Sequence, residues 1–594
     1  MKKLAKSDDK IKWLLLMEAA LLLALMFGLY QAALSGGLVW DDFGLISRHQ
    51  IDNTSAWFEN SFRKPYLSDG YYYRPIPLVT MILDGAGGME HFPYRAHLSN
   101  LIFFYINILL ILVLAYKLSD SVWKGFLAAL FYTLHPAMIE PVVWTAGRCD
   151  LLMTLFILSA LAADVFVYNR FFRIAGVTAC FLLAALSKEM AVIFPALYLG
   201  WRLYIEEVRF QPASVGVWLL KKDNAIMLAC ILATGVFYLF LRTYLQGGLF
   251  VSTSFLDKES AVGGEISHLF LVCKTYFYYV MLSVFPHYEL NVLYDTEFPV
   301  SYDDKGVIPG ALMLLASAWL LGSKILHDRT KYALLIVLLL FFPISNLKVI
   351  VTWNNIIYLR YLTLPVAIIA ILILPLLCSG YEQLTPLIRR MLMVVVFMWV
   401  GSASLNIITT VPLWTNDMLL WKWVVESKEK APHYAWDNYA RAAMISQDYQ
   451  LCIEAVDQSI RVNPNSIKSQ ANGATCSYLG GSYPAVRKYS SKIISGAVES
   501  DPVTRSKMIT LAVMADIKRG VKDWKGMKNQ LKDALMYDAG NKGAYYLLNA
   551  LRIKTKDQPS FSGISAPEKK EALSFIANIG ILDPEEMMIL ESSL

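Results

Sequence analysis

The chain has 594 residues, of which 56% are hydrophobic and only 17% charged, against about 25% charged in an ordinary soluble domain; a soluble, a disordered and a collagen-like chain are all excluded. A mean hydropathy of +0.44, with 33 Tyr, 29 Phe and 15 Trp, indicates a polytopic membrane protein rich in interfacial aromatics. The net charge of +6 is too mild to indicate nucleic acid, and the seven Cys, at 149, 180, 230, 273, 378, 452 and 476 with no CxxC pair, signal neither a zinc site nor a disulfide framework.

A membrane-spanning helix needs about 20 mostly apolar residues. Candidate spans lie near 13–35, 99–116, 122–136, 149–168, 171–187, 190–204, 225–245, 306–323, 332–346, 358–378 and 391–411, about eleven by this criterion. The first follows Lys2, Lys3, Lys6, Lys10 and Lys12, which keeps the N-terminus in the cytoplasm. A signal peptide is the competing reading, but the apolar run is long and further spans follow, so a retained anchor is expected.

The stretch 266–286 is decided by charge. If it does not cross, Lys117 and Lys124, Arg170 and Arg173, Arg202, Arg209, Lys221 and Lys222, Lys324, Arg329 and Lys331, and Arg389 and Arg390 all fall inside, as the positive-inside rule requires. If it crosses, the last two clusters move outside. It is therefore expected to lie in or dip into the outer face, as a lid. The extracytoplasmic parts are then 36–98, 247–305 and everything after 411.

From about 412 the apolar runs stop and a polar helical pattern begins, giving domains at 1–411 and 412–594. The segments 448–464, 481–502 and 522–541 each open on an aromatic, Tyr449, Tyr483 and Trp524, at intervals near the roughly 34 residues of a tetratricopeptide repeat. Such repeats bury a face only by stacking, which predicts a short α-solenoid with a groove. An unrelated helical bundle is the alternative. Cys452 and Cys476 either form a disulfide in an oxidising compartment or are small core residues.

Ionisable groups concentrate at the outer ends of the predicted spans: Asp41 and Asp42 in WDD, Arg74 in YYYRPIP, His97 in HLSN with Asn100, His135 and Glu140 in HPAMIEP, Arg148 and Asp150 in GRCD, Lys188 and Glu189 in SKE, and Arg360 in YLRYL. Each has a bland reading: solvated loop acids, a snorkelling Arg74, satisfied helix-end histidines, a surface Lys188–Glu189 pair, a local Arg148–Asp150 ion pair. Their density on one face argues otherwise, since charges at membrane depth are costly and mark sites. Carboxylates beside cations suit a reaction in which a base deprotonates an acceptor while cations stabilise a phosphate leaving group.

The order WDD, YRPI, HLSN, HPAMIEPVVWTAGRCDLL, SKEMAVIFP, FPISNL, YLRYLTLP and LWTNDMLLW, leading into the repeats, resembles the transmembrane and tetratricopeptide-repeat (TMTC-like) O-glycosyltransferases of the GT-C superfamily over nearly the whole chain. The resemblance implies an all-α polytopic GT-C fold with a C-terminal tetratricopeptide-like solenoid, and an enzyme that takes a sugar from a polyprenyl-phosphate donor at the lumenal or periplasmic face. It puts a catalytic acid in the first outer loop, at Asp41 or Asp42. YLRYL stands where eukaryotic members commonly carry an acid before the Arg, and the repeats are few and divergent; their small number suggests a bacterial inner-membrane member facing the periplasm.

The expected chemistry is inverting attack by an acceptor hydroxyl, with Asp41 or Asp42 as base. Arg74, Arg148, Lys188 and Arg360 are candidates to hold phosphate, and His97, His135, Glu140, Asp150 and Glu189 complete the binding set. No P-loop or dinucleotide fingerprint is present. Adjacent acids can hold a divalent metal, but no ligand set accompanies them, so no metal or cofactor is expected. Besides membrane lipid and the donor, the expected partner is a polypeptide acceptor or its carrier, bound by the repeats. A GT-C enzyme acting on a lipid or polysaccharide acceptor, and a non-catalytic membrane scaffold, are the alternatives.

Overall fold

The computed structural model describes residues 2–51, 54–66, 72–246, 254–285, 291–292, 294–295, 300–344, 355–381, 383–428, 430–561 and 565–594. Residues 345–347 of the FPISNL motif and Pro286 at the end of the predicted lid lie outside the described residues. The chain divides into two compact units, Met1–Asn416 and Asp417–Leu594. The boundary falls a few residues past the last apolar run because the short helical turn Val411–Thr415 packs on Gln31–Ser35 of the first unit, where Gly37 N donates to Thr415 O at 2.8 Å.

The first unit runs α1 (Lys2–Tyr30), α2 (Asp42–His49), α3 (Pro75–Gly85), α4 (Phe92–Ser119), α5 (Val122–Thr133), α6 (Ile139–Val143), α7 (Arg148–Phe166), α8 (Arg170–Ser187), α9 (Phe194–Ile205), α10 (Pro212–Leu219), α11 (Lys222–Gln246), α12 (Ser254–Val284), α13 (Val307–Gly322), α14 (Asp328–Phe341), α15 (Thr363–Tyr381) and α16 (Pro386–Thr410). Among the described residues, seven helices are long and apolar enough to cross a membrane, eight if the bent pair Val122–Thr133 and Pro136–Val143 is one span; the chain is a multi-pass membrane protein. Three further predicted stretches form α9, α13 and α14, of 12, 16 and 14 residues, shorter than the roughly 20 that a perpendicular crossing needs. The 57° bend in the pair lies at Leu134–Pro136, where proline supplies no N–H to continue the helix.

The helices α4, α7 and α15 are the most deeply buried of the spans and form the centre, while α1, α11 and α16 lie at the rim. Rim α16 exposes Met391, Leu392, Val394, Val396 and Phe397; an apolar outer face is stable only where lipid is the solvent. The helix α12 packs on α13 and on a short antiparallel ribbon in which Tyr294 pairs with Ile357.

The second unit is α17 (Asp417–Glu426), α18 (His433–Ile445), α19 (Tyr449–Val462), α20 (Ile467–Leu479), α21 (Tyr483–Ser495), α22 (Pro502–Lys518), α23 (Trp524–Tyr537), α24 (Lys542–Lys554), α25 (Ala566–Ile579) and α26 (Pro584–Ser593), each packed on its neighbours in sequence. The predicted aromatics Tyr449, Tyr483 and Trp524 each open a helix. Those helices bury equivalent faces: Cys452, Ala455, Val456 and Ser459; Val486, Tyr489, Ser490 and Ile493; Met527, Leu531 and Ala534. This is one stripe of a 3.6-residue period. Asp448 and Asp523 cap the first and third, accepting from Leu451 N at 3.1 Å and Gly526 N at 3.0 Å. A Cys452–Cys476 disulfide ties α19 to α20.

Candidate functional site

The connectivity brings the ends of many helices to one end of the first unit: the C-termini of α1, α8, α11 and α16 and the N-termini of α4, α7 and α15. The segment leaving α1 is drawn tightly over this end. A Cβ at Gly36 would meet Ala33 O at 2.9 Å and His97 Nε2 at 3.1 Å, so only glycine fits the approach. His97 Nε2 bonds Gly37 O at 3.3 Å. Trp40 follows with φ of 54°, a conformation that bulky residues adopt only when their surroundings hold them there. It stacks on Trp144 with ring centroids 4.9 Å apart.

The two adjacent acids occupy different environments. Asp42 is buried, and both its oxygens receive backbone bonds, from Val39 N at 3.1 Å and Ala146 N at 3.0 Å. It thereby pins its own loop to the turn before α7. Asp41 is only partly buried and lies in electrostatic reach of Tyr358, whose phenol is pushed up to about 12 by burial, the Arg360 charge opposing and the Glu140 and Asp41 carboxylates adding.

Three cation–carboxylate pairs stand beside one another. Arg74 grips Glu189 with both arms of its fork, Nε to Oε2 at 2.9 Å and Nη2 to Oε1 at 2.6 Å, and stacks over Tyr72 at 4.4 Å and Tyr66 at 5.3 Å. Lys188 Nζ donates to Asp150 Oδ1 at 2.5 Å, both nearly inaccessible, and lies 4.6 Å from the Tyr361 ring. Arg360 pairs with Glu140 through its guanidinium, and its backbone N donates to Glu140 Oε2 at 3.1 Å. The Arg360 guanidinium sits among Tyr358 at 3.8 Å, Trp144 at 5.0 Å, Tyr361 at 5.4 Å and Trp40 at 5.7 Å, aromatic faces that attract a cation.

The pairs feel one another. Burial holds the Lys188 ammonium below its usual range; Asp150 opposes this, and the Arg74 and Arg360 charges add to it. Burial alone would raise the Glu189 carboxyl, but Arg74, with Lys188 and Arg242 helping, holds it at about 2. Arg242 on α11 was not among the sequence candidates. A lone arginine inside the apolar run FYLFLRTYL is the signal that could have found it.

Arg148, His135 and Asn100 have structural partners instead. Arg148 is fully buried and donates to Asn100 Oδ1 at 2.8 Å, Thr80 Oγ1 at 3.1 Å and Ala96 O at 2.8 Å, and pairs with Asp84 Oδ2 at 2.6 Å, tying α3 and α4 to the start of α7. Asn100 in turn donates to Val142 O and Trp144 O. His135 caps the turn after α5, accepting from Ala137 N at 3.2 Å, and bonds Ser283 O at 3.2 Å. A Cβ at Gly147 would stand 2.8 Å from Pro141 Cα, which explains the glycine before Arg148. The expected effect of Arg148→Ala is a loss of about 3–5 kcal/mol in stability, because Asp84 is left buried and unpaired. Thermal unfolding of the purified variant measures this, and Asp84→Asn in the same chain should recover part of the loss.

Among the described residues, no group of three or more His, Cys, Asp or Glu is placed to hold a metal ion. No protein-family model matches the chain, and no curated protein matches it in sequence. Among solved structures it is similar to ArnT from Cupriavidus metallidurans, crystallised with undecaprenyl phosphate, at 13% identity and a TM-score of 0.35 over 98% of this chain and 88% of that one.

Proposed function

We propose that the chain is a GT-C-type glycosyltransferase, TMTC-like in its motif order, that moves a sugar from a polyprenyl-monophosphate donor to an acceptor hydroxyl on the extracytoplasmic side. The observation that carries this reading is the convergence of Arg74, Lys188 and Arg360, with their carboxylates and an aromatic collar, beside the Asp41–Asp42 turn. Arginine forks suit a phosphate that must be gripped by two oxygens, and tyrosine and tryptophan faces suit a sugar ring and a lipid interface.

In the proposed reaction Asp41 accepts the proton of the acceptor hydroxyl, whose oxygen attacks the anomeric carbon in line. The new C–O bond forms as the bond to the phosphate oxygen breaks, inverting the centre, and polyprenyl phosphate leaves with its charge held by Arg360, Lys188 and Arg74. Asp42 fixes the loop that carries Asp41; Glu140, Asp150 and Glu189 hold the cations in place; His97 packs beneath the same loop. Because the leaving group is already a lipid phosphate, no soluble nucleotide is needed. The second unit is read as a tetratricopeptide-like solenoid that binds a polypeptide acceptor or its carrier. A disulfide in that unit favours an oxidising compartment, which in a bacterium is the periplasm.

The test uses the full-length protein in lipid nanodiscs with polyprenyl monophosphate as probe. Saturable binding that competes with a polyprenyl-phosphate sugar, together with sugar release or transfer from that donor, is the expected result. Binding of neither would leave the chain a membrane scaffold.

A further inference from the structure

His49 ends α2, the helix whose first residue is Asp42, and is fully buried. Its Nδ1 lies 2.7 Å from Asn60 O and its Nε2 3.0 Å from Tyr66 O. Both partners are backbone carbonyls, which only accept hydrogen bonds. A neutral imidazole has a single N–H, so its other nitrogen would set a lone pair against a carbonyl lone pair; only the imidazolium donates to both. One ring thus ties the far end of α2 to two points of the chain ahead of Arg74.

The groups around the ring leave it able to titrate. Arg48, on the same helix, donates to Pro65 O at 3.2 Å, and Lys64 donates to Asn60 Oδ1 at 2.8 Å; both act on His49 as cations. Glu59, on the turn Glu59–Arg63, pairs with Arg63 at the surface. Asp84, the ionisable residue of α3, which packs on that turn, pairs with Arg148. Burial lowers the imidazole from its usual range, the two carbonyls oppose this, and the Arg48 and Lys64 charges add to it. The proton is therefore taken up in the acid range, below the roughly 6.5 of an unperturbed histidine.

Tyr66 carries the consequence to the site. Its ring lies 5.3 Å from the Arg74 guanidinium, and its hydroxyl accepts from Cys149 Sγ at 3.3 Å. Its backbone N donates at 2.7 Å to the carbonyl of Tyr72, whose ring lies 4.4 Å from Arg74 on its own account. We propose that His49 is a positioning residue worked by a proton: doubly protonated, it clasps Asn60 O and Tyr66 O together and sets Tyr66 and Tyr72 against Arg74; neutral, it keeps the shorter bond to Asn60 and releases Tyr66. No covalent bond to carbon changes, and one proton passes between solvent and the ring. That Arg74 then grips the lipid donor less well rests on the phosphate-site reading above.

Two measurements on the full-length protein in lipid nanodiscs test the clasp. Exchange of the imidazole C2 hydrogen, followed by mass spectrometry of the peptide containing His49, reports the titration of this ring, and a midpoint below about 6.5 is expected. The KM for a polyprenyl-phosphate sugar, a phosphodiester whose charge is constant over the range, should rise roughly three- to ten-fold between about pH 5 and about pH 8, the value of one hydrogen bond. In His49→Gln, which cannot take up the proton, KM should stay at the higher value throughout. Lys64→Gln, which removes a cation from beside the ring, should move both the titration and the KM transition to higher pH, and it serves where His49→Gln does not fold. A ring that does not titrate between about pH 4 and about pH 8, a KM profile shared by the parental and His49→Gln proteins, or an unmoved transition in Lys64→Gln overturns the clasp. If the parental protein neither binds the donor nor transfers from it, the phosphate-site reading fails, and the titration of His49 by itself upholds or overturns the clasp.

Discussion

Asp41→Asn is expected to lower sugar transfer by roughly two orders of magnitude or more, the usual cost of losing a general base, without unfolding the protein. The expectation rests on its partial exposure beside the Arg360 collar. Asp42→Asn should behave differently. Its two oxygens each receive a backbone N–H, and an amide can present only one oxygen, so the other donor faces an NH2 group. The expected result is a stability loss of about 1–3 kcal/mol, with activity falling because Asp41 is misplaced. Single-turnover transfer and thermal unfolding of both variants and of the double variant separate the two roles. Parental transfer rates for all three would remove the carboxylates from the mechanism.

Arg360→Ala should weaken use of the lipid-phosphate donor by roughly ten- to a hundred-fold, since a hydrogen bond to a charged group contributes about 1.5–3 kcal/mol. Arg360→Lys is the sharper variant: it keeps the charge opposite Glu140 but loses the planar fork and the stacking on Tyr358, so donor affinity should still drop while stability is largely kept. Lys188→Ala should weaken donor use as well, with a larger stability loss, because Asp150 is left buried without a partner. Arg389, in the first turn of α16 at its other end, donates to Leu384 O and serves as control; Arg389→Ala should change neither quantity. Donor titrations with each variant decide it, and comparable losses at Arg389 would mean general destabilisation.

The motifs were legible as a set of charges on one face, but the pairs they form were not. Arg148 and Asp150 invite a local ion pair, yet positions i and i+2 of a helix point to different sides. Arg148 therefore turns to Asp84 on α3 and Asp150 to Lys188 after α8. Lys188 and Glu189 likewise diverge, because Lys188 has extended backbone, with φ −158° and ψ 134°, and successive side chains of an extended segment face opposite ways. Glu189 is then free to meet Arg74, far away in sequence.

Composition and periodicity by themselves determined that this is a helical, multi-pass membrane protein, where its apolar helices lie, and where a polar helical pattern takes over near residue 412, since these depend on local hydrophobicity and its 3.6-residue period. They also determined that ionisable residues gather at one set of helix ends, because alternating spans place every second loop on the same side. Only the tertiary structure decided that α9, α13 and α14 are short, that Arg148 is a strut, that Asp41 and Asp42 differ in burial, and that the Arg242 charge acts on Glu189. Those properties come from contacts between helices distant in sequence: the partner that satisfies a buried charge is chosen by the packing of the whole bundle, and no local pattern of residues encodes it.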